Sequence, residues 1–341
     1  MSLRCPGPIV LTGDISVVAH AKAAIANPHS SFSVDPDLRE YVDVGNPYVV
    51  PPLSRDVVKP AAERALLSFA HWQKSEMDLS WGDVERYLGV LPEFEIAHPS
   101  LVFDDLDKTT SPGIPYSLRH MSKEEIVKVW PPEYLAQEYM DASELGVGNR
   151  CFFRIFPKDE LIKKTKLDAG ELRTICGSPV AHTLVSGMFC RFFDKALERS
   201  RSVLPIKIGL NPWSWEWHEM RLQMSDPKWS KFWTIDFRGF EFTRCPDEDD
   251  YICALRVLHM REKVASARYL KQVYFDQTYA LAVDTLGRVF QTIGHTKSGT
   301  FTTCHDNSML ALAYMCRAWR YLVPQHVSIF DHLLLFVFGD D

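Results

Sequence analysis

The chain has 341 residues, 46% hydrophobic and 12% aromatic, which supports a large core and two or three domains and excludes a disordered protein. The apolar run at 333–338 is too short to span a bilayer, and Cys5-Pro6-Gly7-Pro8 interrupts any signal-like core, so the expectation is an intracellular protein with no intrinsic membrane segment. A net charge of −6 argues against nucleic-acid binding, but the charge is uneven: residues 1–149 carry 12 Lys+Arg against 22 Asp+Glu, and residues 150–341 carry 26 against 22.

Pro47, Pro51, Pro52 and Pro60 punctuate the first hundred residues and favour extended segments and short helices. Residues 60–76 predict a helix with Ala65, Leu66, Phe69 and Trp72 on one face. Two prolines and a glycine make Thr110-Ser111-Pro112-Gly113-Ile114-Pro115 a rigid loop. Residues 150–173 hold seven basic side chains against four acidic ones. Such a strip can hold phosphates even on an acidic protein, because its field reaches about 8–10 Å; a solvated helix face is the plainer reading. Helices are expected over 181–200, 246–270 and 304–322, the second opened by Pro246 and a group of acids. Strands at 277–283 and 288–293 flank Asp284-Thr285-Leu286-Gly287, a hairpin turn. Residues 232–235 and 333–338 read as buried strands that each lead into acid. The eight cysteines form no C-x-x-C pair and are expected to be buried or free thiols in a reducing compartment.

Those two strands deliver Asp236 on one side and, after Gly339, Asp340 and Asp341 on the other. Transfer of a nucleotidyl group needs two divalent cations about 3.5–4 Å apart, and two or three aspartates from adjacent strands suffice to hold magnesium. By itself, Gly-Asp-Asp is also a common turn sequence. The series Ser298-Gly299-Thr300-Phe301-Thr302-Thr303-Cys304-His305-Asp306-Asn307 puts a small-residue loop before a helix, with Thr303 and Asn307 on one face. Hydroxyl and amide groups of this kind suit a ribose; the alternative is an ordinary loop with Asp306 or Asn307 as an N-cap.

In order, these segments resemble the motifs of positive-strand RNA virus RNA-dependent RNA polymerases of the picornavirus-like and astrovirus-like groups. Residues 110–115 resemble the template-entry loop (motif G). Lys158-Asp159-Glu160-Leu161 with Lys166 and Arg173 resembles the basic finger hairpin (motif F). Residues 236–241 resemble motif A, Ser298-Gly299 with Thr303 and Asn307 motif B, and Phe338-Gly339-Asp340-Asp341 motif C.

The resemblance implies an α+β right hand, with fingers over 1–189 and 242–296 and an antiparallel palm sheet backed by helices within 190–241 and 297–341. It implies template-directed RNA synthesis with two Mg2+ (or Mn2+) ions on Asp236 and Asp340, Asp341 being a weaker ligand. Lys158, Lys166 and Arg173 would neutralise the triphosphate, with Lys163 and Lys164 as helpers and Glu160 in a supporting ion pair. Glu241, Ser298, Thr303 and Asn307 would meet the nucleotide. Thr110, Ser111, Pro112 and Gly113, with Gly299, would guide RNA. The implied partners are the template and nascent RNA, nucleoside triphosphates and other viral replication proteins, in membrane-associated complexes of the host cytoplasm.

Three departures stand out. Relatives usually carry aspartate where this chain has Glu241, and many carry arginine where it has Ile162. The chain also stops at Asp341, before the motif D lysine, motif E and the thumb, so a fragment inactive by itself is expected. A non-catalytic RNA-binding fragment, or a subunit needing a second chain, shares every finger residue and stays open. The Ser-Gly-x3-Thr-x3-Asn series and the acid at position 241 argue against a reverse transcriptase or DNA polymerase.

Overall fold

The computed structural model describes residues 10–11, 48–49, 55–68, 80–145, 151–158, 160–237, 239–324 and 326–339. Among them it is a mixed α+β structure with a five-stranded sheet, a separate two-stranded β2–β4 pair and many helices. The helices are α1 (Arg55–Ser68), α2 (Ser80–Leu88), α3 (Pro99–Asp105), α4 (Lys123–Val129), α5 (Pro132–Glu144) and α6 (Lys164–Asp168), then α7 (Val180–Arg199), α8 (Trp215–Met224), α9 (Pro246–Leu258), α10 (Lys263–Thr278), α11 (Thr303–Leu322) and α12 (Ile329–His332). The strands are β1 (Val10–Leu11), β2 (Tyr48–Val49), β3 (Phe152–Pro157), β4 (Ile162–Lys163), β5 (Thr174–Gly177), β6 (Leu281–Val283) and β7 (Val289–Gln291).

Helix α7 is buried nearly all round, with Leu184, Val185, Phe189, Cys190, Phe193 and Leu197 in the core, as expected of a helix with no solvent face. It packs against α3, α5 and α10, while α11 packs on α2 and α9. The main sheet runs β1-β7-β6-β3-β5. Its β3–β6 pair is parallel and the other pairs are antiparallel. The β6–β7 hairpin forms at the expected turn, where Asp284 Oδ1 accepts from the Leu286 and Arg288 amides at 2.9 Å each.

Several sequence expectations are corrected. Residues 232–235 form no strand: they are irregular, and Phe232 and Trp233 are 61% and 73% exposed. β-branched and aromatic residues make a strand only where a partner strand covers them, and none pairs here among the described residues. In 333–338 only Val337 pairs, by a parallel bridge to Ile206, with Val337 N–H donating to Pro205 at 3.0 Å and Lys207 N–H to Val337 at 2.9 Å. The observed main sheet is therefore built from 10–11, 152–157, 174–177, 281–283 and 289–291 rather than from those two runs.

The helix expected over 246–270 is two helices. After Leu258 the chain leaves the helix to pair with Phe94, whose N–H donates to His259 and whose carbonyl accepts from Arg261. Residues 277–278 belong to α10, so the strand begins only at Leu281. Helix α1 starts at Arg55, with Ala61 and Ala62 buried; Phe69 and Trp72 lie outside the described residues. Of the seven described cysteines all are free, six buried and Cys304 exposed. Among the described residues no helix is long and apolar enough to cross a membrane.

Candidate active site and nucleic-acid interface

Two motif segments meet along one seam, on either side of residues 176–180. The 110–115 loop docks on the start of α7, where Val180 N–H donates to the Pro112 carbonyl at 2.9 Å. Gly113 has φ +76°, and a Cβ there would stand 2.6 Å from the Ser178 carbonyl, so only glycine fits. On the other side of Ser178, Gly299 N–H donates to Cys176 at 3.0 Å and its carbonyl accepts from Ser178 N–H at 3.5 Å. A Cβ on Gly299 would come within 2.8 Å of the Cys176 carbonyl oxygen, so the Ser298-Gly299 loop lies directly on the end of β5. Ser298 Oγ accepts from Cys176 N–H at 3.2 Å. Thr110 and Ser111 are exposed; the Thr110 hydroxyl donates to Asp107 at 3.0 Å and Ser111 Oγ accepts from Gly113 N–H at 3.2 Å.

The basic hairpin closes around one carboxylate. Glu160 Oε2 lies 3.0 Å from Lys158 Nζ and 3.6 Å from Arg173 Nη1, and Lys158 N–H donates to the Arg173 carbonyl at 2.8 Å. Glu160 thus sits in the ion pair foreseen for it. Lys166 is exposed on α6, as are Lys163 and Lys164 beside it.

Asp236 is exposed and has no hydrogen bond or ion pair among the described residues. Asp340 and Asp341 lie outside the described residues, so the metal-site reading is not assembled here; no metal-binding cluster of His, Cys, Asp or Glu occurs among the described ones. Gly339 is placed: its N–H donates to Ser308 Oγ at 2.8 Å, which ties the segment leading to Asp340 onto α11. Glu241 lies in a 3-10 turn with its side chain exposed, and its carbonyl accepts from Thr296 N–H at 2.8 Å. It does not pair with Arg244, whose partners are Asp249 and Asp306. Asn307 is buried, and its Oδ1 accepts from Thr296 Oγ1 at 3.2 Å. Thr303 Oγ1 donates to the Lys297 carbonyl at 2.8 Å.

Behind this face lies a buried charge cluster. Asp306 Oδ1 accepts from Arg256 Nη2 at 2.7 Å, while Oδ2 accepts from Arg244 Nη2 at 3.2 Å and Thr302 Oγ1 at 2.8 Å; Tyr274 OH is 3.0 Å from both oxygens. Arg256 also holds Asp194 at 2.7 Å, and Arg244 pairs with Asp249. Three carboxylates thus share two guanidinium groups, an imbalance that decides their proton affinities. Burial raises Asp194 and Asp249, and their single arginines only partly offset it. Burial acts on Asp306 as well, but Arg256 and Arg244 together outweigh it and hold that carboxyl below the usual range.

The family model for viral RNA-dependent RNA polymerases matches residues 97–341. The chain belongs to that family. It is similar to the RNA1 polyprotein of Arabis mosaic virus (isolate NW), 25% identical over 261 residues that cover 70% of this chain and 11% of the polyprotein. The RNA1 polyprotein of Grapevine fanleaf virus is 27% identical over 197 residues, 54% of this chain and 8% of that one. The genome polyprotein of Zucchini yellow mosaic virus (strain Singapore) is 21% identical over 351 aligned residues, 96% of this chain and 11% of that one. The chain therefore spans about a tenth of the length of the curated relatives it matches. Polymerases of this family use divalent metal ions.

The sequence offered Asp306 only as a possible N-cap. The N-cap is Thr302, and Asp306 is the hub of the cluster. Signals existed. Asp194 and Arg256 interrupt otherwise apolar helix faces, following Cys190 and Ile252 by four residues each, and a charge in such a place needs a buried partner.

Proposed function

We propose that this chain performs template-directed RNA synthesis by nucleotidyl transfer at the face formed by the ends of α7 and α11. The observation that carries the reading is the link from the Glu241 carbonyl through Thr296 to Asn307, one residue before the Ser308 that holds Gly339. It joins the segments resembling motifs A, B and C through one helix turn, in a chain of the polymerase family.

In this reading Glu241 and Asn307 meet the ribose. A site that bonds a hydroxyl rejects the analogue lacking it, because its own polar groups are left unpaired. Lys158 and Arg173 face triphosphate, with Arg173 suited to bidentate contact and Glu160 holding both in place until phosphate competes for them. The seam through Thr110, Ser111, Pro112, Gly113 and Gly299 guides template RNA, where tight backbone packing keeps the path fixed. Fingers occupy 1–189 and 242–296 and palm 190–241 and 297–341, and the setting is a viral replication complex in the host cytoplasm.

The donor set fits a hard divalent cation. Asp236 is an exposed carboxylate not committed to any side chain among the described residues, and oxygen donors of this type suit magnesium or manganese. Asp236, Asp340 and Asp341 would hold two Mg2+ or Mn2+ ions, which supply charge neutralisation for phosphoryl transfer.

The test is nucleotide incorporation on a primed RNA template by the polymerase bearing this chain, with Asp236→Asn alongside. Incorporation that disappears in the variant, while its thermal unfolding is unchanged, supports the reading. Full incorporation by Asp236→Asn sinks it, and RNA binding without incorporation by either protein favours an RNA-binding role.

A further inference from the structure

Residues 294–297 form a strap between the Glu241 turn and the first turn of α11. Two backbone bonds fix it to the turn: His295 N–H donates to Arg244 and Thr296 N–H to Glu241, each at 2.8 Å. Lys297 is buried, and its ammonium donates to the Gly294 and His295 carbonyls of the same strap. Its own carbonyl accepts from Thr303 Oγ1. Between these anchors Thr296 is 5% exposed, and its hydroxyl donates to Asn307 Oδ1 at 3.2 Å.

A side-chain amide has an acceptor end and a donor end, and rotation by half a turn exchanges them. With Oδ1 engaged by Thr296, Asn307 presents its Nδ2 hydrogens elsewhere. The helix turn that carries Asn307 is held by the Asp306 cluster, and among the described residues Thr296 makes the one side-chain hydrogen bond that orients the Asn307 amide.

We propose that Thr296 is a positioning residue for sugar recognition, setting the Asn307 amide so that an N–H meets the ribose hydroxyl and coupling that orientation to Glu241. The inference rests on the reading of Glu241 and Asn307 as the sugar pair. A hydroxyl both donates and accepts. The Glu241 carboxylate takes its proton, and the Asn307 N–H serves its oxygen. Were the amide reversed, two acceptors would compete for one hydroxyl proton and the deoxy analogue would lose less by comparison.

The experiment measures kcat/KM for ATP and 2′-deoxy-ATP in primer extension by the polymerase bearing this chain, for Thr296→Val, Thr296→Ser and Asn307→Ala, with thermal unfolding of each. Valine keeps the shape and removes the hydroxyl; serine keeps the hydroxyl. Thr296→Val is expected to lower the ratio of the two values about tenfold, the worth of one hydrogen bond, through a raised KM for ATP more than a lowered kcat. Thr296→Ser is expected to stay within about twofold of the parent. An unchanged ratio in Thr296→Val beside a collapsed one in Asn307→Ala overturns the role of Thr296 and leaves the sugar pair standing. An unchanged ratio in both removes the sugar pair itself. Equal losses in the valine and serine variants show a strap that is merely structural, and overturn the proposal.

Discussion

Replacing Asp306 with asparagine changes one oxygen for an amide nitrogen at the centre of the buried cluster. The retained oxygen can still accept from Arg256 and Tyr274, as Oδ1 does now. The new NH2 stands where Oδ2 faced Arg244 Nη2 at 3.2 Å and the Thr302 hydroxyl at 2.8 Å, so donor meets donor on the arginine side. Neither guanidinium is left alone, because Arg244 keeps Asp249 and Arg256 keeps Asp194. That places the loss at the low end of the cost of breaking a buried pair, about 3 kcal/mol. For a chain of 341 residues the midpoint of thermal unfolding should fall by about 4 °C. The assay is circular dichroism on heating, checked by urea titration, with Arg261→Ala as the reference. Arg261 pairs with Glu95 on the open surface, where solvent screening leaves little to lose. An Asp306→Asn midpoint no lower than that of Arg261→Ala would refute the cluster as a source of stability, and with it the argument that it holds the first turn of α11 in place.

Gly299→Ala should destabilise the chain by about 1–3 kcal/mol in urea titration, since its Cβ meets backbone rather than a movable side chain; an unchanged midpoint would show that the seam gives way freely. Burial pushes the Asp276 carboxyl up to about 7 despite hydrogen bonds from Tyr139 and Gln272. The folded chain then keeps a proton that the unfolded one releases, so the parent should lose stability relative to Asp276→Asn as pH rises from about 4 to 7, by up to about 1.4 kcal/mol per unit, and a difference constant across that window would contradict the assignment. Ser308→Ala leaves the buried Gly339 N–H without its acceptor, at a cost of about 1–3 kcal/mol, and should speed hydrogen exchange at the Gly339 amide; unchanged protection would show that another group holds this segment. Arg173→Lys should raise KM for all four nucleotides alike, as befits a phosphate contact, and a change confined to one base would speak against it.

The helices were legible where local signals were complete. Helix α9 begins at Pro246 with Asp247, Glu248 and Asp249 in its first turn, and Glu248 reaches back to the Cys245 N–H at 3.0 Å, all of it written in one short stretch. Its end was not legible, because what stops it is a pairing with Phe94, more than 150 residues away in the chain. The same holds for 232–235. A run of aromatic and β-branched residues states a capacity for pairing, and whether a partner arrives is a fact about the rest of the fold.

The site divides along a related line. Motif reading assigns every polar side chain outward, to ligand, yet a buried polar group must first be satisfied within the protein. Ser298 Oγ already accepts from Cys176 N–H, and the Thr303 hydroxyl already donates to the Lys297 carbonyl. Asp306 and Ser308 are wholly engaged inside the protein, by the arginines and by Gly339. Among the described residues, what remains uncommitted is the carboxylate of Glu241 and the Nδ2 end of Asn307, one acceptor and one donor set. A ligand hydroxyl needs one of each, so on the proposed reading the internal bonds leave, of the four expected sugar contacts, the pair that Thr296 joins.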